Sequence, residues 1–243
     1  MFEKEQQVKE VLFFMKLKTD LVIMGSGMAG ISAADAALAR GKKVIVFEKK
    51  PYQGGAVSNC PIAYLSIRND KDFQNAAFHL LYEYSNYNAN PSVIRQYVNN
   101  SWRTKEYIER LGIKMIPTQK LELEDIGNPK YADGFPPAIM AHGDFYLVPG
   151  RGKGHGGALI CLNAMKDIIK RGGQYMLNTP ITDILVDENG KVNGVKAVNN
   201  ETKEEIEVEC EAVIIASGGI MEDREMMKKY TGFTFTDYNC SGD

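Results

Sequence analysis

The chain is poor in the residues that build metal centres and disulfide scaffolds. Its 243 residues include three histidines, His79, His142 and His155, and four cysteines, Cys60, Cys161, Cys210 and Cys240. The cysteines lie far apart, form no CxxC pair and have no histidine pair nearby, which argues against a zinc site and against a disulfide framework. Four reduced thiols are expected. Charge of one sign is also lacking. The net charge is −2 and the basic residues are scattered, so no nucleic-acid or acidic-lipid footprint is present. No run approaches the ~18 apolar residues of a membrane span. The opening MFEKEQQVKEVLFFMKLKTD is mixed in charge, and its apolar run from Val11 to Met15 is too short for a signal peptide. A reducing cytoplasm is the expected location.

The opening has one peculiarity. MKLKTDLVIMGSG would be an ordinary beginning, whereas Lys9-Glu10-Val11 can be encoded by AAG-GAG-GTN, a bacterial ribosome-binding sequence a short spacer before Met15. Residues 1–14 are therefore expected to be a non-native leader, with 15–243 as the folded domain. An intact mass that includes Met1 would overturn this.

Apolar residues make up 44% and charged residues 25%, enough for one large core or two small ones. The most informative stretch runs from Lys18 to Lys50: KTDLVIMGSGMAGISAADAALARGKKVIVFEKK. Leu21 to Met24 is a short apolar run suited to a buried parallel strand. An alanine-rich helix from Ile31 to Arg40 follows, stopped by Gly41, and then a second buried strand from Val44 to Phe47. Together they have the size of a strand–helix–strand unit.

Between the first strand and the helix, Gly25, Gly27 and Gly30 fit G-x-G-x-x-G. The first glycine permits a tight turn, the second lets backbone approach a pyrophosphate, and the third lets helix and strand pack closely. Glu48 closes the second strand, where a carboxylate accepts hydrogen bonds from ribose hydroxyls and repels a 2′-phosphate, which disfavours NADP. The plain alternative is an acid at a strand end in solvent. Gly54-Gly55 then offers accessible backbone N–H groups, or an ordinary loop.

Downstream, Pro51 to Asn69 reads as irregular. Asp72 to Glu109 reads as mostly helical with a break near NYNANPS, where Asn90 or Ser92 caps the next helix. A helix closed at Gly112 precedes a strand. Thr118 to Gly143 reads as loop, and Phe145 to Val148 as a short strand. PGRGKGHGG is a glycine-rich turn before a helix from Ala158 to Arg171. Gln174 to Leu177 is a strand. ITDILVD, VNGVKAV and EEIEVEC then form three strands joined by the hairpin signals ENGK and NNETK. EAVIIAS is a further buried strand, GG follows it, and MEDREMMKKY is helical. This order departs from a plain NAD dehydrogenase, in which short strand–helix units continue after the second strand.

Taken in order, DLVIMGSGMAG, VIVFEKKPYQGG, KDIIKRGGQYMLNTPITDILVDENGKVNGVKA, EAVIIASGGI and the terminal SGD resemble the FAD-binding part of the fumarate reductase/succinate dehydrogenase flavoprotein family, the FAD-dependent oxidoreductase 2 group. The resemblance spans Lys18 to Asp243. It implies an α/β fold: a GR2-type Rossmann FAD-binding domain with a three-stranded antiparallel meander and a helical insertion, its capping domain absent. It implies non-covalent FAD, since no histidine stands where succinate dehydrogenases attach the flavin. By position, Gly25, Ser26, Gly27, Met28, Ala29 and Gly30 would lie on the pyrophosphate. Glu48 would take the adenosine ribose, with Lys49 beside it. Gly54, Gly55 and Ala56 would face the pyrophosphate–flavin side. Ile181 would bond adenine through its backbone. Ala216, Ser217 and Gly218 would pass the dinucleotide, and Asp243 would reach the FAD.

The sequence departs from the family where many members carry a second glycine pair against the flavin ring. Here that stretch is VSNCPIAYLSIRND, with Ser58 and Asn59 as the candidates. PGRGKGHGG is better read as a helix-entry loop beside the cofactor than as a second phosphate site.

The resemblance further implies that the cap, the arginine proton donor and the substrate-binding arginine and histidine lie beyond Asp243, so no residue here is assigned a catalytic role. The expected function is the FAD-binding portion of a bacterial oxidoreductase that moves hydride between flavin and a C=C or CH–CH substrate. The substrate would be a small molecule held mainly by the cap, with an electron-donor protein or a complementary subunit as a partner. One alternative is a non-catalytic FAD-binding subunit or a fragment of a split flavoenzyme. Another, resting on the glycine motif alone, is a NAD-binding dehydrogenase module.

Overall fold

A computed structural model describes residues 14–58, 63–114, 116–119, 143–147, 155–220 and 223–232. In chain order the elements are β1 (Phe14–Lys18), β2 (Leu21–Met24), α1 (Met28–Leu38), β3 (Val44–Phe47), α2 (Gly55–Ser58), β4 (Ala63–Ile67), α3 (Lys71–Tyr84), α4 (Pro91–Asn100) and α5 (Arg103–Arg110). They continue with β5 (Ile116–Gln119), β6 (Gly143–Leu147), α6 (His155–Lys170), β7 (Gln174–Met176), β8 (Ile181–Val186), β9 (Val192–Val198), β10 (Glu205–Glu209), β11 (Ala212–Ile215) and α7 (Arg224–Thr231). The chain divides into two compact units. One joins the described residues up to Val57 with those from Ala164 onward, and the other comprises those between Ser58 and Asn163.

The first unit holds two sheets. One is parallel throughout, in the order β11-β2-β3-β7. Its two central strands are LVIM and VIVF, and every residue of β3 is buried because the sheet is covered on both faces. On one face lies α1, packed on β2 and β3 with Ile31, Ala34 and Ala37 buried. On the other face Val22, Ile45 and Phe47 join Val195, Ala197, Ile206 and Val208 of the second sheet in one apolar cluster. Fully burying side chains of this size stabilises by about 1.5–3 kcal/mol each.

The second sheet contains the meander β8-β9-β10, antiparallel as its hairpin signals imply. It has a fourth strand, β1, parallel to β10 with Phe14 opposite Glu205 and Lys18 opposite Glu209. The sequence did not mark this strand, because FMKLK is half exposed and alternates in burial like an edge. Lys18 pairs with Glu209 at 2.5 Å and Lys16 with Glu207 at 3.9 Å along that edge.

In the second unit α3, α4 and α5 accompany an antiparallel sheet β4-β6-β5. Asp70 caps α3 by accepting from the Asp72 and Phe73 N–H groups, and Asn90 caps α4 by accepting from Ser92 N–H, with Pro91 in the first turn. Ile67, Ala77, Ile94 and Val98 form one buried apolar cluster of this unit. The stretch read as irregular between Pro51 and Asn69 in fact contains α2 and β4. Neither shows in the sequence, since one is a single turn and the other is short and earns its pairing from β6, far along the chain. The helix expected from Ala158 begins earlier, at His155.

Candidate functional site

The site lies within the first unit, at the carboxyl ends of β2, β3 and β11. A chain leaving β2 at Met24 must turn at once into α1. Gly25 makes that turn with φ +103°, and its N–H donates to Phe47 O at 2.7 Å. Ala216, just past β11, donates to Met24 O at 2.8 Å, so the turn is held from both neighbouring strands.

The three glycines differ in what surrounds them. A methyl at Gly25 would overlap the Ala216 carbonyl oxygen, with the carbonyl carbon at 2.9 Å and Ser217 Cα at 3.2 Å. A methyl at Gly30 would overlap the Gly25 carbonyl. Both positions are closed by the protein's own backbone. Gly27 is open: its nearest atom would be Gly54 O at 3.9 Å, and its φ is −68°, which any residue adopts. Gly27 starts α1, whose first turn has neither a capping side chain nor an acid. Unshared N–H groups and the positive helix end therefore face open space, as an anion requires.

Glu48 is buried, only 5% exposed, so it is not an acid standing in solvent. Its Oε2 accepts from Ser26 N–H at 3.0 Å and from the Ser26 hydroxyl at 2.7 Å, and its Oε1 accepts from Lys50 N–H at 3.0 Å. Three donors hold the carboxylate as a fixed acceptor. The backbone around it is pinned to the entry of β8. Thr179 N–H donates to Glu48 O and Asn178 N–H to Lys50 O, both at 2.8 Å. Asn178 reaches this position with φ +56°, a left-handed conformation that asparagine tolerates better than most residues. Gly54 (φ +117°) and Gly55 (φ +52°) form the second turn, tied back by Gly54 N–H donating to Ser26 Oγ at 2.9 Å.

These segments surround a cavity of about 550 Å³. Gly25, Ser26, Gly27, Met28, Ala29, Glu48, Lys49, Gly54, Gly55, Ala56, Ile181, Ala216, Ser217 and Gly218 all line it. Gly30 does not, since it packs behind the turn. Asp243 and Asn59 lie outside the described residues. Sequence reasoning missed Met24, Phe47, Val57, Thr179, Pro180 and Ile215, which also line the cavity. Thr179 and Pro180 precede Ile181 directly, so their position in NTPITDI was the available signal.

The cavity fits a dinucleotide on three observations: room for a ligand only at the middle glycine, an uncapped helix start, and a buried acid beside them. Comparisons with known proteins agree. The chain is 27% identical over 233 residues to NADH:fumarate oxidoreductase of Klebsiella pneumoniae (strain 342), covering 90% of this chain and 23% of that protein. It is 28% identical over 218 residues to Fumarate reductase (cytochrome) of Shewanella frigidimarina, covering 86% of this chain and 35% of that protein. It thus spans about a quarter to a third of the length of these relatives. The crystal structure of 3-ketosteroid-delta4-(5alpha)-dehydrogenase from Rhodococcus jostii RHA1 shares the fold, with a TM-score of 0.69 at 17% identity over 95% of this chain and 51% of that one. Among the described residues no helix is long and apolar enough to cross a membrane. Residues 20–243 match the family described as FAD binding domain, and the chain belongs to that family, homologous to the fumarate reductase/succinate dehydrogenase flavoproteins, with FAD as its cofactor.

Proposed function

We propose that this chain is the FAD-holding part of an oxidoreductase of the fumarate reductase type, acting on the C=C or CH–CH bond of a small activated substrate such as an α,β-unsaturated acid. The observation that carries the reading is the pairing of an open Gly27 with a buried, hydrogen-bonded Glu48. The N–H groups at the start of α1 take the pyrophosphate. Glu48 accepts from a ribose hydroxyl through Oε1, which has one protein donor where Oε2 has two. The backbone at Ile181, at the mouth of β8, meets adenine. The Gly54–Ala56 turn and Ala216–Gly218 flank the flavin side.

Bound FAD supplies hydride transfer between its N5 and a substrate carbon; the residues of this chain hold and orient it. On this reading substrate contacts and the proton donor come from sequence outside the FAD-holding part. Two of its relatives, an NADH:fumarate oxidoreductase and a fumarate reductase, support the substrate class. The test uses the polypeptide as its cell makes it, loaded with FAD, reduced chemically without oxygen and mixed with fumarate and other unsaturated acids. Reoxidation of the flavin by at least one of them is expected. Reoxidation by oxygen or quinone alone would overturn the substrate class.

A further inference from the structure

We propose that Ser26 is a positioning residue, whose hydroxyl couples the ribose-binding acid to the second glycine turn. The inference rests on the FAD reading of the cavity. Ser26 is fully buried, so no water stands in for its contacts. Its Oγ donates to Glu48 Oε2 at 2.7 Å and accepts from Gly54 N–H at 2.9 Å. The direction of both bonds follows from chemistry. An ionised carboxylate only accepts, and a backbone N–H only donates. The group between them must therefore give a proton on one side and receive one on the other, in the space of two heavy atoms. A hydroxyl does this; a methyl offers neither function and a thiol offers both weakly.

The relay has two consequences. Oε2 is committed to Ser26 through the hydroxyl and the backbone N–H, which leaves Oε1, with Lys50 N–H as its one protein donor, as the oxygen with acceptor capacity to spare. The Gly54–Gly55 turn, far from Ser26 in sequence, is held at the height of the first glycine turn. Ser26 thus aligns the half of the site that takes ribose with the half that faces pyrophosphate and flavin. Each bond in such a chain polarises the next, so loss of the middle group weakens both ends.

The test compares wild type, Ser26→Ala, Glu48→Gln and the double variant. FAD and ADP affinities are measured by calorimetry, and melting of the apo proteins serves as a control. Ser26→Ala is expected to weaken FAD by about tenfold or more, the size of one charge-assisted hydrogen bond. In the Glu48→Gln background the same substitution should cost ADP distinctly less than it does in wild type, because the acceptor it worked through is altered. A general packing defect would instead weaken ADP by the same factor in both backgrounds, and that result overturns the proposal. So does wild-type FAD affinity in Ser26→Ala. Should Ser26→Ala not fold, amide exchange decides: Gly54 N–H exchanges faster in apo Glu48→Gln than in wild type if the relay operates, and equal rates refute it. Wild type that takes up no FAD refutes the cofactor reading itself. Wild type that binds FAD while Ser26→Ala binds equally well refutes only the role of Ser26.

Discussion

Alanine substitutions at Gly25, Gly27 and Gly30 separate what the fold needs from what the ligand needs. At Gly27 the added methyl meets nothing closer than 3.9 Å and the backbone, at φ −68° and ψ −176°, is already in a region alanine favours. The apo protein should then stay within about 1 kcal/mol of wild type, because alanine's fewer unfolded conformations offset its poorer fit at a helix N-cap. On the proposed placement of FAD, the same methyl points into the space the pyrophosphate would enter. Displacing one or two charged N–H contacts costs about 1.5–3 kcal/mol each, so FAD affinity should fall by at least about tenfold. At Gly25 the methyl runs into the Ala216 backbone and alanine must hold φ +103°. Overpacking and backbone strain together destabilise by roughly 2–5 kcal/mol. Gly30→Ala collides with the Gly25 carbonyl and should lose stability for the packing reason alone. Chemical denaturation of the apo proteins and FAD titration by fluorescence quenching read the two effects separately. A stable Gly27→Ala protein that binds FAD like wild type would refute the placement of the phosphates.

Three further predictions follow from particular contacts. Glu48→Arg buries an unpaired cation and leaves the Ser26 and Lys50 N–H groups without their acceptor, so it should lower stability by about 3–5 kcal/mol and abolish FAD uptake; urea melts and gel filtration with FAD check both. Arg171 bridges Asp35 on α1 and Asp167 on α6, with its Nη2 also donating to the Asp35 carbonyl at 3.2 Å. Arg171→Ala should cost about 1–2 kcal/mol by melting, less in high salt, and leave FAD affinity of the folded protein unchanged. Burial pushes the Cys161 thiol up to about 11 from 9.0. The folded protein therefore keeps that proton between pH 9 and 11 while the unfolded chain releases it, so stability falls as pH rises through this window, by at most about 2–3 kcal/mol. Cys161→Ala should flatten the alkaline decline in urea midpoints, and an unchanged slope would count against it.

Much of the site could be read from the sequence because its parts are local. LVIMGSGMAG carries strand, turn and helix within ten residues, and the acid of VIVFE sits at the end of the next buried strand. The meander was legible for the same reason: its turns join neighbours. What was not legible depends on distant partners. FMKLK becomes β1 only because β10, late in the chain, presents an edge for it. Ala63–Ile67 pairs with Gly143–Leu147. The resemblance places Ser26 on the pyrophosphate, but the bonds of its hydroxyl to Glu48 and Gly54 form only once the fold brings those residues to either side of it. Asn178 reads as a loop residue, and only the structure shows it holding the Glu48–Lys50 backbone against the start of the meander.

The central claim is that the cavity holds FAD rather than a nicotinamide dinucleotide. The most direct measurement is to incubate the purified protein with FAD and NAD together, remove free ligand by gel filtration, and identify what stays bound from the visible spectrum and by chromatography after denaturation. The account predicts stoichiometric flavin absorption with the protein and little retained NAD. Retention of NAD without flavin would contradict it.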